Sequence, residues 1–298
     1  MTLRTSRAAS IAFLRVADHA PGVARRPEVA LRLLDDADRW LMSVSINEAA
    51  GLLAGAPALL LLAGDRPRGI ILSDWPHETV AWLRVLALSG GLSTTRAIDA
   101  LLPPFHQTLR ARGVAHIYVA CADPGDSWAM AALRNAGYTH DTDVIVYEKV
   151  RMNVPSQGNP TVRVRAATAG DIPAILAVDT RCFSVEWRKD DVQISMALHE
   201  TPRFLIVEEN LEVVGYAFVT IHHEGRLVHL VRIAVLPDRQ HRGIGARLLY
   251  EVVSYATAIG AQRLTLNTQA YNRNARRLYE WFGFRRTGDR QIILRRDL

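Results

Sequence analysis

The chain has 298 residues, 49% hydrophobic and 22% charged, with a formal net charge of +6 at pH 7; that length suits two domains of about 150 residues or one large one, with a sizeable core either way. The basic side chains are almost all arginine, Lys149 and Lys189 being the only lysines. They are spread rather than clustered with aromatics, which argues against direct nucleic-acid binding while suiting a small anionic ligand.

In chain order, an apolar run at 11–14 is ended by Arg15, too early for a signal-peptide core. Residues 56–63 are apolar but are cut off by Gly64-Asp65-Arg66, well short of a membrane span, so they predict a buried strand and no membrane association. Strand-like runs lie at 59–62, 69–72 and 80–88, followed by Ser89-Gly90-Gly91, a turn able to face an anion. Pro103-Pro104 would break or kink the helix expected next. Residues 151–160 are rich in turn formers and lack apolar periodicity, which predicts an interdomain linker between domains at 1–150 and 161–298. Cys121 and Cys182 stand in different halves and make neither a disulfide framework nor a metal cluster; no metal is expected, and a reducing cytoplasm fits.

Downstream, a strand at 162–165 precedes a helix from Asp171, with Pro173 tolerated in its first turn, and a second helix at about 189–198. Three strands follow at 204–208, 212–221 and 227–236, then a glycine loop, a helix at 244–259 stopped by Gly260, a strand at 263–267 and a helix at 272–281. A final hairpin at 284–296 is expected to turn near Gly288-Asp289. The order β-α-α-β-β-β-α-β-α-β-β predicts a mixed α/β sheet with flanking helices.

The first half repeats this plan. With Gly137 set on Gly283, residues 132–138 match 277–284, and 117–121 fall on 263–267 without a gap, which reads as an internal duplication. In the same register Gly243 falls on Ala97, Gly245 on Asp99, Asn267 on Cys121 and Tyr279 on Leu133. Asp99 would thus set a carboxylate where the pyrophosphate should lie, so the first half is expected to have lost catalysis, with loss of cofactor binding or weak binding at the Ser89-Gly90-Gly91 turn as alternatives.

The loop Gln240-His241-Arg242-Gly243-Ile244-Gly245 follows a strand and opens a helix. Two glycines let the backbone approach an anion closely, and the helix start aims unpaired N–H groups at it. Arg239 and Arg242 add positive charge suited to a pyrophosphate.

From about Thr161 onward the chain resembles the GNAT-superfamily N-acetyltransferases. Gln240, Gly243 and Gly245 match the family's Arg/Gln-x-x-Gly-x-Gly/Ala pattern, and Asn267, Asn272, Ala275, Leu278, Tyr279 and Gly283-Phe284 match its second segment. The resemblance implies tandem GNAT-like domains, the first degenerate and the second catalytic. It implies acetyl-CoA as co-substrate, held by Arg239, Gln240, His241, Arg242, Gly243, Ile244 and Gly245 at the pyrophosphate and by Ile233, Ala234 and Val235 along the pantetheine arm, with Asn272 and Asn274 nearby. It further implies that the Val235 N–H polarises the thioester carbonyl and that Tyr279 protonates the leaving thiolate. A thiol of pKa about 8.5 and a phenol of about 10 are close enough for that hand-over. Asn267 is expected to fix substrate or cofactor. His229 occupies the place of the glutamate base of the histone-acetyltransferase branch and is the expected proton acceptor, with His222, His223 and Glu224 as alternatives.

The segment Cys182-Phe183-Ser184-Val185-Glu186-Trp187 resembles the Phe-x-x-Trp segment of ribosomal-protein alanine N-acetyltransferases, which implies that Phe183, Glu186 and Trp187 border the acceptor. The glutamate of that branch would fall on Asn267. The tandem organisation is also similar to mycothiol synthase, whose acceptor is an amino-thiol glycoside. The expected reaction is transfer from acetyl-CoA to a primary amine of a protein N-terminus or a small molecule; a non-catalytic acyl-CoA sensor or scaffold is the competing class.

Overall fold

The computed structural model describes residues 11–15, 30, 32–34, 37–63, 66–91 and 93–298; Gly64 and Asp65, expected to cut off the apolar strand, lie outside the described residues. Two compact units make up the chain, one of Met1–Asp141 with Gln291–Leu298 and the other of Thr142–Arg290.

In the first unit the strands are β1 (Ile11–Arg15), β2 (Arg39–Met42), β3 (Ala58–Ala63), β4 (Arg66–Ser73), β5 (Val80–Leu88) and β6 (His116–Asp123), with helices α1 (Ile46–Leu53), α2 (Thr94–Arg110) and α3 (Ser127–Asn135). The sheet runs β1-β3-β4-β5-β6, and β2 pairs with β5. Strand β7 (Thr139–Lys149) leads into the second unit, where β8 (Arg163–Ala166), α4 (Ile172–Cys182), α5 (Asp191–Glu200), β9 (Arg203–Glu209), β10 (Glu212–His222), β11 (Leu227–Val235), α6 (Ile244–Ala258), β12 (Arg263–Gln269) and α7 (Arg273–Trp281) follow, and β13 (Arg285–Asp297) closes the chain. The strand order in the second unit is β7-β12-β11-β10-β9-β8.

Most expected elements are present within a few residues, and the departures have local causes. Helix α5 starts at Asp191 rather than near 189 because Asp190 caps it, accepting from the Gln193 N–H while the Gln193 side chain returns to the Asp190 N–H. The expected C-terminal hairpin is instead one continuous strand of 13 residues, Arg285–Asp297. Its end, from Gln291, belongs to the first unit, where Ile292 and Leu294 are buried in the core with Leu83, Val119 and Tyr138. The place beside β12 is taken by β7, whose Val144–Lys149 backbone pairs antiparallel with Leu264–Gln269. The unit boundaries therefore differ from a division at 150 and 161, and residues 151–160 lie inside the second unit.

The two units share a plan down to single residues. α3 and α7 both have nine residues, and each is followed by a glycine in the left-handed region, Gly137 at φ 88° and Gly283 at φ 83°. Strands β5 and β11 each carry one extra residue against their antiparallel neighbour, Arg84 and Val231, and each pairs in parallel with the following strand over only four residues. These markers correct the register at the glycine loop. Gly243 caps α6 and Ser93 caps α2, so Ala97 and Asp99 lie within α2 rather than at its start. Nor do the two prolines end α2, which continues through Pro103 and Pro104 to Arg110; the lost amide donors are one local cost that the buried face of Ile98, Leu101, Leu102, Phe105 and Leu109 offsets.

One buried and one half-buried histidine link stability to pH. His106 hydrogen-bonds Tyr138 at 2.9 Å, and burial, with Arg296 and Arg110 nearby, lowers its pKa to about 3. Burial, then the nearby His222, lowers His229 to about 4. Both fold as neutral imidazoles, whereas an unfolded histidine titrates near about 6.5. Between these values the unfolded chain binds more protons, so stability rises with pH. The midpoint of thermal unfolding should fall as pH drops from about 6.5 towards 4; a flat profile over that window would contradict the neutral burial of both rings.

Candidate functional site

The second unit builds its site where two parallel strands part. β11 and β12 pair from Leu227–Arg263 to Leu230–Leu266 and no further. Beyond that point Arg232–Val235 stay paired with β10, and Asn267–Gln269 stay paired with β7. The facing edges of β11 and β12 are left without a strand between them. The Leu236 N–H turns to β10, bonding the Val214 carbonyl at 2.9 Å. By the alternation of an extended strand, the N–H groups of Val235 and Ile233 face the open edge and that of Ala234 faces β10. Backbone groups at such an edge need partners from water or ligand.

Just past the strand, His241 (φ 60°) and Gly243 (φ 77°) are both left-handed, and no side chain caps the start of α6. Left-handed residues in such a turn can bring N–H groups together, and the helix N-terminus adds unpaired N–H groups and the positive end of its dipole. The carbonyls are held away from these groups. Asn159 donates from its side chain to the Arg242 carbonyl (2.9 Å) and from its backbone to the Gly243 carbonyl (3.1 Å). The Gln240 amide donates to the Val235 carbonyl at 3.0 Å, fixing the loop to the strand end. A Cβ on Gly245 would stand 3.3 Å from Leu278 Cδ2, so glycine here lets α7 close on the start of α6. The arginines contribute less than expected. Arg239 lies 3.3 Å from both Glu209 and Glu212, and Arg242 lies 3.7 Å from Glu209, so their charge is largely balanced. The unbalanced positive groups at the loop are mainly its backbone N–H groups.

Tyr279 is 4% exposed, its ring set between Tyr147 and Phe284 at centroid distances of 6.2 and 6.0 Å. Burial, then the neighbouring Tyr147, pushes its phenol above the ordinary value, so it holds its proton across the physiological range. Asn267 is exposed at the vertex of the opening, the first β12 residue beyond the paired segment. His229 lies at the paired end and hydrogen-bonds Thr265 at 2.9 Å. Asn272 accepts from the Ala275 N–H at 3.2 Å and so caps α7, while Asn274 is exposed.

Phe183, Glu186 and Trp187 fall in the connection between α4 and α5. The structure ties that connection to β11 through a cluster the sequence did not suggest. Arg232 stacks over the Phe183 ring at 3.7 Å, donates to the Trp187 carbonyl at 2.7 Å and pairs with Asp179 at 2.6 Å. Asp179 is fully buried, accepts from the Tyr216 hydroxyl and takes the Lys189 N–H at 2.9 Å. A buried carboxylate needs this many partners to remain charged, and removing one would leave the rest unpaired. Glu186 accepts from the Ser184 hydroxyl at 2.6 Å. Cys182 donates its thiol to the Val235 carbonyl at 3.3 Å, and burial raises its pKa to about 11.

The residues expected to form a linker are part of the site's frame. Lys149, almost fully buried, donates to the Asn153 carbonyl (2.7 Å) and to the Phe282 carbonyl at the end of α7 (2.6 Å). With Asn159 on the glycine loop, this segment is pinned at both ends. Among the described residues no group of side chains could hold a metal ion, and no helix is long and apolar enough to cross a membrane.

The sequence model of the acetyltransferase (GNAT) family matches residues 172–284. The uncharacterised N-acetyltransferase YhfO of Bacillus subtilis (strain 168) is 32% identical over 135 residues, 41% of this chain and 89% of that protein. Two solved structures share the fold over nearly the whole chain. A GCN5-related N-acetyltransferase from Sphaerobacter thermophilus has a TM-score of 0.64 at 17% identity, covering 96% of this chain and 95% of its own. A tandem GNAT protein from the clavulanic acid biosynthesis pathway has a TM-score of 0.65 at 12% identity, covering 97% and 98%. The chain belongs to the GNAT family of N-acetyltransferases and has the GNAT-like fold along its length.

The close approach at Gly245 gives a direct test. Gly245→Asp would press a side chain on Leu278 and set a carboxylate at the mouth of the anion-binding loop. Acetyl-CoA affinity measured by calorimetry should fall by at least about tenfold, since one misplaced charge at a phosphate site costs more than 1.4 kcal/mol. Unchanged affinity in a folded variant would show that the loop does not hold the phosphates.

Proposed function

We propose that the second unit transfers the acetyl group of acetyl-CoA directly to a primary amine, the first unit being non-catalytic. The open edge of β11, ending beside the N–H groups of the glycine loop, carries this reading. Bound there, acetyl-CoA supplies an activated acyl carbon and a good leaving thiolate. Ile233, Ala234 and Val235 line the arm; Arg239, Gln240, His241, Arg242, Gly243, Ile244 and Gly245 surround the pyrophosphate; Asn272 and Asn274 flank it.

An open-edge N–H of β11, at Ile233 or Val235, donates to the thioester carbonyl oxygen and favours charge developing there. The amine nitrogen forms a bond to the carbonyl carbon as the carbon–sulfur bond breaks. Tyr279 gives its hydroxyl proton to the departing sulfur and is reprotonated from solvent, and the ammonium proton lost by the amine passes to His229 through water. Burial keeps the Tyr279 phenol protonated but widens its gap from the thiol, so the hand-over depends on a direct hydrogen bond to the departing sulfur. Burial suits His229 poorly, since an imidazole near 4 is a weak base and works only by relay to solvent. Asn267 orients the acceptor at the vertex. Phe183, Glu186 and Trp187 border it, with Arg232 and Asp179 as positioning residues.

Tyr279→Phe should lower kcat by about 10²-fold or more while acetyl-CoA affinity is kept; full turnover in this variant would remove the acid assignment. Any rate dependence on His229 should be present above about pH 4 and lost as pH falls through that value. A thiol-release assay over amino sugars, aminoglycosides, an amino-thiol glycoside and peptides with free N-termini tests the reaction and sorts the acceptors. Tight acetyl-CoA binding with no acceptor-dependent thiol release from any of them would favour the sensor reading.

A further inference from the structure

The first unit repeats the parting of parallel strands but fills the gap with its own chain. β5 and β6 pair from Val80–His116 to Leu83–Val119 and then stop, as β11 and β12 do. Past the extra residue Arg84, Val85–Leu88 stand where Arg232–Val235 stand in the second unit, past Val231. One edge of Val85–Leu88 is paired with β4, through Leu72, Ile71, Ile70 and Gly69. The other is paired antiparallel with β2, Met42 on Val85, Leu41 on Leu86, Trp40 on Ala87 and Arg39 on Leu88. A strand has only two edges, so β2 lies on the edge that β6 leaves. Ser43 N–H to Arg84 carbonyl (3.0 Å) and Asp38 N–H to Leu88 carbonyl (3.1 Å) extend the pairing at both ends.

Side chains complete the closure. Leu41 is fully buried in the same core as Leu83 and Val119. At the turn after β5, Asp38 Oδ2 would lie 2.5 Å from a Cβ on Gly90, so the carboxylate rests against the turn that corresponds to the glycine loop. Arg39 bonds the Thr94 hydroxyl at the first residue of α2, and Arg68 bonds the Gly90 carbonyl.

We infer that residues 38–43 are a built-in occupant of the first unit's acyl-CoA slot: β2 pairs with Val85–Leu88 where a pantetheine arm would pair, and Asp38 lies where a phosphate would. The chain therefore takes one acyl-CoA. This rests on the reading of the second unit as the acetyl-CoA site. It would also make the first unit non-catalytic without Asp99, which lies too far along α2. Four backbone pairs and a buried leucine form within the chain, and a diffusing ligand would have to displace them while paying the entropy of association.

Native mass spectrometry of the full chain with acetyl-CoA, read together with amide hydrogen exchange, tests the inference. One acetyl-CoA per chain is expected, with new protection at 232–235 and at the glycine loop, and with exchange at 39–42 and 85–88 already slow and unchanged by ligand. Two bound molecules, or ligand-induced changes at 39–42 or 85–88, would overturn the inference while leaving the second site standing if 232–235 is also protected. No bound molecule would overturn the reading of the second unit, and this inference with it.

Discussion

Everything at the site follows from the point where β11 and β12 cease to pair, after Leu230 and Leu266. A parallel pair that continued would satisfy the backbone of Arg232–Val235 and leave no room for a ligand. Because it stops, N–H groups on one edge of β11 have no strand partner, at a position held rigid by β10 on the other side. An extended, amide-bearing ligand can complete that edge as a strand would. The glycine loop lies one short turn further on, so a site for an extended arm and a site for an anion are joined in sequence and in space. The same parting in the first unit meets the same demand for partners internally, through β2.

The frame around the opening is more heavily built than a glycine motif suggests. Lys149 ties the end of α7 to Asn153, and Asn159 ties the glycine loop to the same segment, so residues 151–160 brace both helices that flank the site. Arg232 is shared between strand β11 and the connection bearing Phe183 and Trp187, with Asp179 and Tyr216 beneath it. That cluster couples the position of the connection, the proposed acceptor wall, to the strand on which the acyl group is proposed to lie.

Much of this was legible in the amino-acid sequence, and the reasons it stopped are physical. Apolar periodicity located β5, β11, α4 and α6, because each faces a core with a regular period, and the glycines at 137 and 283 marked equivalent helix ends through their left-handed backbone. Pattern cannot say which sheet a strand joins. Hence a division at 150 and 161 cuts Thr142–Lys149 and Gln291–Leu298 from the units they belong to, and a Gly-Asp pair suggests a hairpin where β13 runs on unbroken. Ungapped alignment also failed at the glycine loop, where α2 begins closer to its strand than α6 does and the first half has Ser93 as its cap. Asp179 and Arg232 were invisible because nothing in a lone aspartate on a helix, or an arginine on a strand, announces that the two meet. Arg239 and Arg242 were read as free charge because Glu209 and Glu212 approach them only in the fold.

The most direct test is a crystal structure of the protein with acetyl-CoA. The account requires the arm to run along Ile233–Val235, the thioester oxygen to lie within hydrogen-bond distance of an open-edge N–H of β11, at Ile233 or Val235, and the pyrophosphate to lie on the N–H groups of 241–245. An acyl-CoA bound anywhere other than the opening between β11 and β12 would contradict it.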